Sequence, residues 1–377
     1  MTRRLNVGLV GSGFIGRSHA FAWRMAPVVF GLPVTPVLHT LADVDGPTAQ
    51  KAAAALGFAR ATGDWRRLVD DPEIDVVDVT TPNVLHKPMA LAAIKAGKPV
   101  YCEKPLAPNA GEAREMAEAA EAAGVPTFVG FNYLRNPMVE LAAEIVRGGE
   151  IGEVWSFRGI HAEDYMSDPD AAWTWRLDPS GGAGAVADLG SHIVSLARHV
   201  VGPIEEVAAD LDTVVPTRPA SPGSAERRPV QVDDQARALV RFASGAKGTI
   251  EASWVATGRK MHLAFEVYGS KGSVLLDMER MNELGLYLRQ DTAGRDGYRR
   301  VLASPAHKDY APFCPAPGHQ LGFNDVKTIE VKEVVTALLD GRRYAPDFRE
   351  AYEIQRVVDA ILLSGRERRW VRVDEVG

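Results

Sequence analysis

The stretch LNVGLVGSGFIGRSHAFAW, residues 5–23, limits what this chain can fold into more than any other. An apolar run, Asn6–Val10, ends in Gly11-Ser12-Gly13-Phe14-Ile15-Gly16, and a helix-forming segment follows at once. Glycines spaced this way between a strand and a helix meet one geometric demand. Gly11 allows a tight turn, Gly13 lets backbone approach a pyrophosphate, and Gly16 lets the helix lie close on the strand. The free N–H groups at the helix start then face the phosphates. The arrangement predicts a dinucleotide-binding loop in which Phe14 and Ile15 also take part. A glycine-rich turn without a ligand is the plain alternative.

The next hundred residues carry the same rhythm. Candidate strands at Val37–Ala42, Val76–Thr80, Pro99–Cys102 and Thr127–Gly130 alternate with PTAQKAAAALG, LHKPMALAAIKAG and AGEAREMAEAAEAAG, each closed by a glycine. Strands alternating with helices predict a doubly wound parallel sheet, a Rossmann domain over residues 1–131. Asp43 ends the second strand, where an acid would bond the adenosine ribose hydroxyls and repel a 2′-phosphate. NAD is therefore expected over NADP. Asp45 is a rival for that role, and either acid could simply open a turn ahead of Pro47.

Beyond residue 131 the pattern changes. A helix near Pro137–Arg147 is followed by the strand-like EVWSFRGIHAED, a helix near Ala187–Val200, and strands near Val207–Val214, Gln235–Phe242, Gly248–Trp254, Leu263–Gly269 and Ser273–Leu276. Short turns such as ASGAKG and GSKGS join them in antiparallel style. Residues 132–377 are thus expected to form an α+β domain with an open, mostly antiparallel sheet that also serves substrate binding and oligomerisation. Two helices, near Asn324–Leu339 and Arg349–Ser364, and a short strand WVRV close the chain. VPTRPASPGSAERRPVQ, 215–231, reads as a long exposed loop or arm.

The chain has 377 residues, of which 46% are hydrophobic and 24% charged, which suits two globular domains. A formal charge of −6 gives no reason to expect nucleic acid or an anionic membrane as partner. No apolar run approaches the roughly 20 residues of a membrane span, so a cytoplasmic protein is expected. Two distant cysteines, Cys102 and Cys314, make neither a disulfide framework nor a metal site, and Cys102 reads as a buried, inert thiol.

Several polar stretches stand at predicted strand ends. In VYCEKPLAP, Glu103, Lys104 and Pro105 stand where an apolar strand runs out. A surface turn would also read this way. TTPNVLH sets Thr81, Pro82, Asn83 and His86 after another strand, where they would line the cofactor crevice; helix capping is an equally sound role for Asn83. Asp188 and His192 lie four apart on the helix near Ala187–Val200, hence on one face. Gly181, Gly182 and Gly184 before them suit close approach of backbone to a ligand. A solvated polar face is the alternative.

Taken together, TTPNVLHKPMA, EKP and GGAGAVADLGSHIVSLARHVVG resemble the signature of the glucose–fructose oxidoreductase / inositol dehydrogenase / MocA family over nearly the whole chain. SFRGIHAEDYMSDPDAAWTWR and VQVDDQARALVRFASGAKGTIEAS resemble most the levoglucosan dehydrogenase branch, with inositol dehydrogenases next. The resemblance implies an NAD-dependent oxidoreductase acting on a secondary hydroxyl of a neutral cyclic sugar, anhydrosugar or inositol. It makes Lys104, Asp188 and His192 the catalytic residues: His192 the base, Lys104 the group bonding the same oxygen, Asp188 the group fixing the substrate or the imidazole. It places Glu103 and Asn132 at the cofactor and Tyr133, Glu163, Trp175 and Arg176 at the substrate, with Asp164 and Tyr165 beside them. The family's Arg after the last Rossmann strand is displaced here, in FNYLRNP, which leaves Arg135 without a clear role. His199 has no counterpart and reads as structural. No metal is expected, and a homodimer or homotetramer is. A glycosidase that cycles its NAD through transient oxidation and a catalytically silent sugar or NAD sensor are the competing activities.

Overall fold

The structure, a computed structural model, describes residues 3–289 and 294–377. Two compact units divide the chain. The first takes the residues up to Arg135 together with Leu321–Glu353; the second takes Asn136–Gln320 and the chain from Ile354 onward.

In the first unit a six-stranded parallel sheet contains β1 (Arg3–Val10), β2 (Val34–Ala42), β3 (Arg60–Thr62), β4 (Val76–Val79), β5 (Val100–Cys102) and β6 (Thr127–Val129), in the order β3-β2-β1-β4-β5-β6. β4, β5 and the second half of β1 are wholly buried, as continuous apolar runs require when helices cover both faces. The strand order reverses between β1 and β4. Ligands bind outside the carboxyl ends of strands at such a switch point. The Thr80 hydroxyl fastens the two ends together, donating to the Val10 and Gly11 carbonyls at 3.0 and 2.9 Å. The helix Phe323–Asp340 belongs to this unit although 187 residues separate it from Arg135 in sequence, counting from 136 through 322. Its face of Val331, Val334, Val335 and Ala337 joins Trp23, Ala26, Val34 and Tyr101 in one apolar cluster.

The second unit holds a nine-stranded sheet. Its strands are β7 (Val154–Ala162), β8 (Ile204–Asp212), β11 (Gln235–Phe242), β12 (Lys247–Ser253), β13 (His262–Gly269), β14 (Gly272–Asp277), β15 (Glu283–Leu288), β16 (Arg299–Leu302) and β17 (Val371–Arg372). The order is β16-β15-β14-β13-β7-β12-β11-β8-β17, antiparallel except at β7–β12. Burial alternates residue by residue along β11, which marks a sheet with one face covered. The helices Pro137–Arg147 and Ser191–Val200 pack on that sheet.

Three sequence expectations need correction. The 215–231 arm is not simply an exposed loop: β9 (Thr217–Pro219) and β10 (Arg227–Pro229) pair as a small antiparallel ladder, and Arg218 within it is fully buried. The helix expected to begin near Ala187 opens with a π-helical turn, Val186–Gly190, before regular helix resumes at Ser191. Such wide turns tend to appear at functional sites. Gly184 serves a side chain rather than a ligand: at φ +110° it leaves room for the Asp233 carboxylate, whose Oδ1 would lie 2.3 Å from an added Cβ.

Candidate active site

The glycine loop is built as its spacing requires. Gly11 has φ +97°, a left-handed conformation that disfavours any side chain, and an added Cβ would lie 2.8 Å from the Thr80 carbonyl oxygen. At Gly16 an added Cβ would fall 2.2 Å from the Gly11 carbonyl oxygen. Gly13 differs, because among the described residues no atom beyond its immediate chain neighbours lies within 4 Å of where its Cβ would be. Two of the glycines thus serve the fold, and the third leaves open space in front of the backbone. The helix Phe14–Phe30 starts at Gly13 with no side-chain cap, so its first N–H groups are free to meet an anion. Phe14 is exposed and stacks on Phe323 at 5.7 Å.

Asp43 leaves the end of β2 beside this loop. Its Oδ2 accepts from the Ser12 N–H at 2.9 Å and from the Ser12 hydroxyl; its Oδ1 accepts from Val44 N–H at 2.7 Å. Asp45 instead caps the helix Gly46–Leu56, accepting from Thr48 N–H at 2.7 Å. After β4, Pro82 leads into a short turn, Asn83–Leu85, with Asn83 buried. The His86 ring is buried between the Thr81 and Pro105 carbonyls, at 2.8 and 3.0 Å. Burial pulls its pKa down despite those contacts. The ring holds the loop after β4 against the loop after β5. Asn132 follows β6; it too is buried, and its Nδ2 has no partner among the described residues. An orphaned buried donor at a strand end, free helix N–H groups and an open cradle at Gly13 together fit a dinucleotide. Tyr133 has its ring 6.2 Å from Phe323. Arg135 lies over the Tyr344 ring at 4.7 Å and donates to the Ala345 carbonyl.

Lys104 stands at the end of β5, joined to Pro105 by a cis peptide. The neighbouring Glu103 side chain turns inward. Its Oε1 lies 2.8 Å from both His19 Nε2 and Lys327 Nζ, and its Oε2 accepts from the Lys104 N–H at 3.2 Å. The network continues in both directions. His19 Nδ1 meets Asp78 at 2.9 Å, and Trp23 donates to Asp78 at 2.7 Å. Lys327 donates to Glu330 at 2.7 Å, and Glu330 accepts from the Tyr101 hydroxyl. Burial alone would raise the Glu103 carboxyl and lower the Lys327 ammonium. Their mutual contact, with His19 and Glu330 beside them, overrides burial and keeps both charged. Gly130 makes the space for this carboxylate, since an added Cβ would sit 2.3 Å from Glu103 Oε1. Cys102 is fully buried, and burial pushes its thiol well above the ordinary range.

A second group of candidate residues gathers within the second unit. Asp188 lies in the π turn, and its Oδ2 accepts from the Tyr165 hydroxyl at 2.8 Å and from Arg176 Nε at 3.2 Å. The Arg176 guanidinium also covers the Trp175 ring at 4.5 Å. His192, buried in the first turn of the helix Ser191–Val200, faces the His161 ring edge-on at 5.4 Å. His161 bridges the Leu189 carbonyl at 3.0 Å and the Glu163 carboxylate at 3.1 Å. Asp164 points elsewhere, onto Lys260 at 2.7 Å. His199 approaches Glu140 at 3.7 Å. Among the described residues, one trio has metal-ligand spacing: His262, Asp277 and Glu279. Arg259 already occupies Glu279 at 2.8 Å.

Residues 5–131 match the NAD-binding Rossmann fold of the oxidoreductase family, and residues 139–275 match the GFO/IDH/MocA C-terminal domain. The chain belongs to the GFO/IDH/MocA oxidoreductase family. Levoglucosan dehydrogenase of Pseudarthrobacter phenanthrenivorans is 38% identical over 99% of each chain. A solved structure of levoglucosan dehydrogenase in complex with NADH and levoglucosan has a TM-score of 0.95 at 38% identity, covering 98% of this chain and 100% of that one. An NAD-binding oxidoreductase from Klebsiella pneumoniae has a TM-score of 0.95 at 46% identity, covering 98% of this chain and 99% of that one. This family member is an NAD-dependent oxidoreductase with a Rossmann domain and a mixed, mostly antiparallel sheet.

Sequence reasoning did not single out His19, Asp78, Lys327, Glu330 or His161. Only Lys327 left a local trace, as a lysine with a glutamate three residues on inside the apolar helix stretch VKTIEV. His161 sits on an inward position of an alternating strand, which by itself reads as core.

Proposed function

We propose that this enzyme oxidises a secondary hydroxyl of a neutral cyclic polyol to the ketone, with an anhydrosugar such as levoglucosan or a pyranose first in order and an inositol second. The observation that carries this is the group around Asp188. One carboxylate holds a tyrosine hydroxyl and a guanidinium, with the exposed Trp175 ring against the guanidinium. Several donors and acceptors suit a ligand with a hydroxyl on most carbons, and an aromatic face suits the apolar side of a ring. The likeness to levoglucosan dehydrogenase over nearly the full chain supports the first choice.

His192 is the general base that takes the hydroxyl proton, its imidazole suited to that task near neutral pH. Lys104 bonds the same oxygen and stabilises its developing negative charge. Asp188 orients the substrate through its own contacts with Tyr165 and Arg176, while Glu163 and Tyr133 contribute further substrate contacts. Gly11, Gly13, Phe14, Ile15, Gly16, Thr81, Pro82, Asn83 and Asn132 hold the cofactor, with Asp43 on the adenosine ribose; His86 and Glu103 hold the loops that touch it. The chemistry that NAD supplies when bound is acceptance of the carbinol hydrogen as hydride, so the alcohol carbon is oxidised by two electrons and one proton is released.

A panel of neutral sugars, anhydrosugars and inositols with NAD, read at the nicotinamide absorbance, tests this. NADH should accumulate with at least one ring polyol and with no simple linear alcohol. Activity confined to phosphorylated or carboxylated sugars would overturn the substrate class. Glycoside cleavage without accumulating NADH would move the enzyme to a redox-cycling glycosidase.

A further inference from the structure

The proline-rich arm is fastened to one place in the second unit. Within it Arg218 is completely buried, and its terminal nitrogens donate to the Met166 and Asp168 carbonyls at 2.6 and 2.7 Å. A buried guanidinium that meets carbonyls in place of a carboxylate gives up hydration without a full counter-charge. That expense has a return here, because two backbone carbonyls of an irregular segment are held. Other ties reach the same segment. Trp173 N–H donates to the Pro219 carbonyl at 2.8 Å. Arg227 donates to the Pro169 carbonyl at 2.9 Å and to Asp170 at 3.1 Å. The Arg228 guanidinium lies 3.7 Å over the Trp173 ring. Beneath them Val230 and Val232 share an apolar cluster with Met166, Leu177 and Leu189.

The segment so held runs from the end of β7 to the short turn Trp175–Leu177, and it contains neither helix nor strand. Tyr165 and Arg176 stand at its two ends, and both bond Asp188. A stretch without its own backbone ladder takes its position from whatever packs on it. We propose that the 215–231 arm is a clamp that sets substrate specificity, fixing the segment that presents Tyr165 and Arg176, with Arg218 as its positioning residue. This rests on the assignment of the Asp188 group to the substrate.

The test uses the full-length protein in two variants. Arg227→Ala/Arg228→Ala changes two exposed side chains and leaves the core intact; Arg218→Met removes the buried anchor. Hydrogen exchange of amides 164–176 is measured without substrate, and KM for two ring polyols and Kd for NAD are measured alongside. The double variant should exchange about tenfold faster in that segment and in the arm itself, where Arg227 also donates to the Thr217 hydroxyl and carbonyl at 3.0 and 2.7 Å, and nowhere else in the second unit. KM for the better polyol should rise about tenfold, the scale of a lost cation–π contact plus hydrogen bonds. The ratio of kcat/KM between the two polyols should shift, and NAD affinity should not. Arg218→Met should show the same pattern more strongly. Unchanged exchange in the double variant would overturn the clamp. Faster exchange with KM and the polyol ratio unchanged would reduce the arm to a structural staple and overturn the specificity role. If the wild-type enzyme oxidised no neutral ring at all, the substrate assignment would fall and the specificity claim with it, while exchange alone would still decide the clamp.

Discussion

Gly13 and Gly16 lie three residues apart in one loop, yet replacing each by alanine should have opposite consequences. At Gly16 the new methyl would fall 2.2 Å from the Gly11 carbonyl oxygen, a backbone atom with no rotamer to change. The helix must move off the strand, and overpacking of this kind costs about 1–3 kcal/mol. Better helix propensity returns at most about 1 kcal/mol. Gly13→Ala meets no atom of the described residues within 4 Å beyond its chain neighbours, so its folded-state strain is close to nil. As an N-cap, alanine is worse than glycine by about 0.5–1 kcal/mol, roughly what the stiffer unfolded chain returns. If the open space at Gly13 is where a pyrophosphate approaches the backbone, the methyl stands in its way. NAD affinity should then drop about tenfold or more, equivalent to at least about 1.4 kcal/mol. Urea denaturation without cofactor and a calorimetric NAD titration on both variants separate the two effects. Gly13→Ala should keep the wild-type urea midpoint and lose NAD, while Gly16→Ala should lose midpoint. Wild-type NAD affinity in a folded Gly13→Ala protein would refute the assignment of this loop to the pyrophosphate.

His192→Ala should cost about 100- to 10,000-fold in kcat with NAD affinity little changed, the scale of a positioned acid–base group; a near wild-type rate across neutral pH would mean another base. Asp43→Ala should weaken NAD and narrow the preference over NADP, measured as the ratio of kcat/KM for the two cofactors, and an unchanged ratio would move that role elsewhere. Burial pushes the Asp233 carboxyl up to about 6. From about pH 4 to about pH 6 the native protein therefore keeps a proton that the unfolded chain has released, so this group's contribution falls as pH rises through that window and stays lost above it. Asp233→Asn should flatten that part of the urea-midpoint profile; an unaltered slope would place the titration on another group.

The sequence revealed the parts of this molecule whose causes are local. The glycine loop, the apolar runs of β1 and β4 and the alternation of β11 each answer to neighbours a few residues away, and they are found close to where their patterns put them. β3 has three residues and no apolar period to announce it. β15 and β16 lie beyond the stretch where the pattern could be followed. The charges around Glu103 were illegible for a different reason. Their partners come from residues 19, 78, 327 and 330, and nothing in EKP says that its glutamate will meet a lysine 224 positions later. Arg218 is the same case within a shorter span: a proline-rich polar stretch looks solvated until the carbonyls it reaches are known.

The two units also bury charge in different ways, and this bears on how the enzyme meets acid. Beside Lys104, each buried carboxylate faces a cation: Asp78 faces His19, while Glu103 and Glu330 share Lys327. Glu103 is held well below the ordinary carboxylate range, so this carboxylate keeps its charge through mild acid. Asp233 in the second unit accepts from the Val186 N–H at 2.7 Å, at the start of the π turn that carries Asp188, and burial is the largest influence on it. Protonating it near pH 6 relieves the cost of burying its charge, so the fold gains stability. The same proton weakens the bond that holds Val186, because a charged acceptor binds an N–H more strongly than a neutral one. Mild acid should therefore tighten the fold of the second unit while loosening the turn beneath Asp188. Activity lost on that side of neutrality would then come at least in part from Asp233.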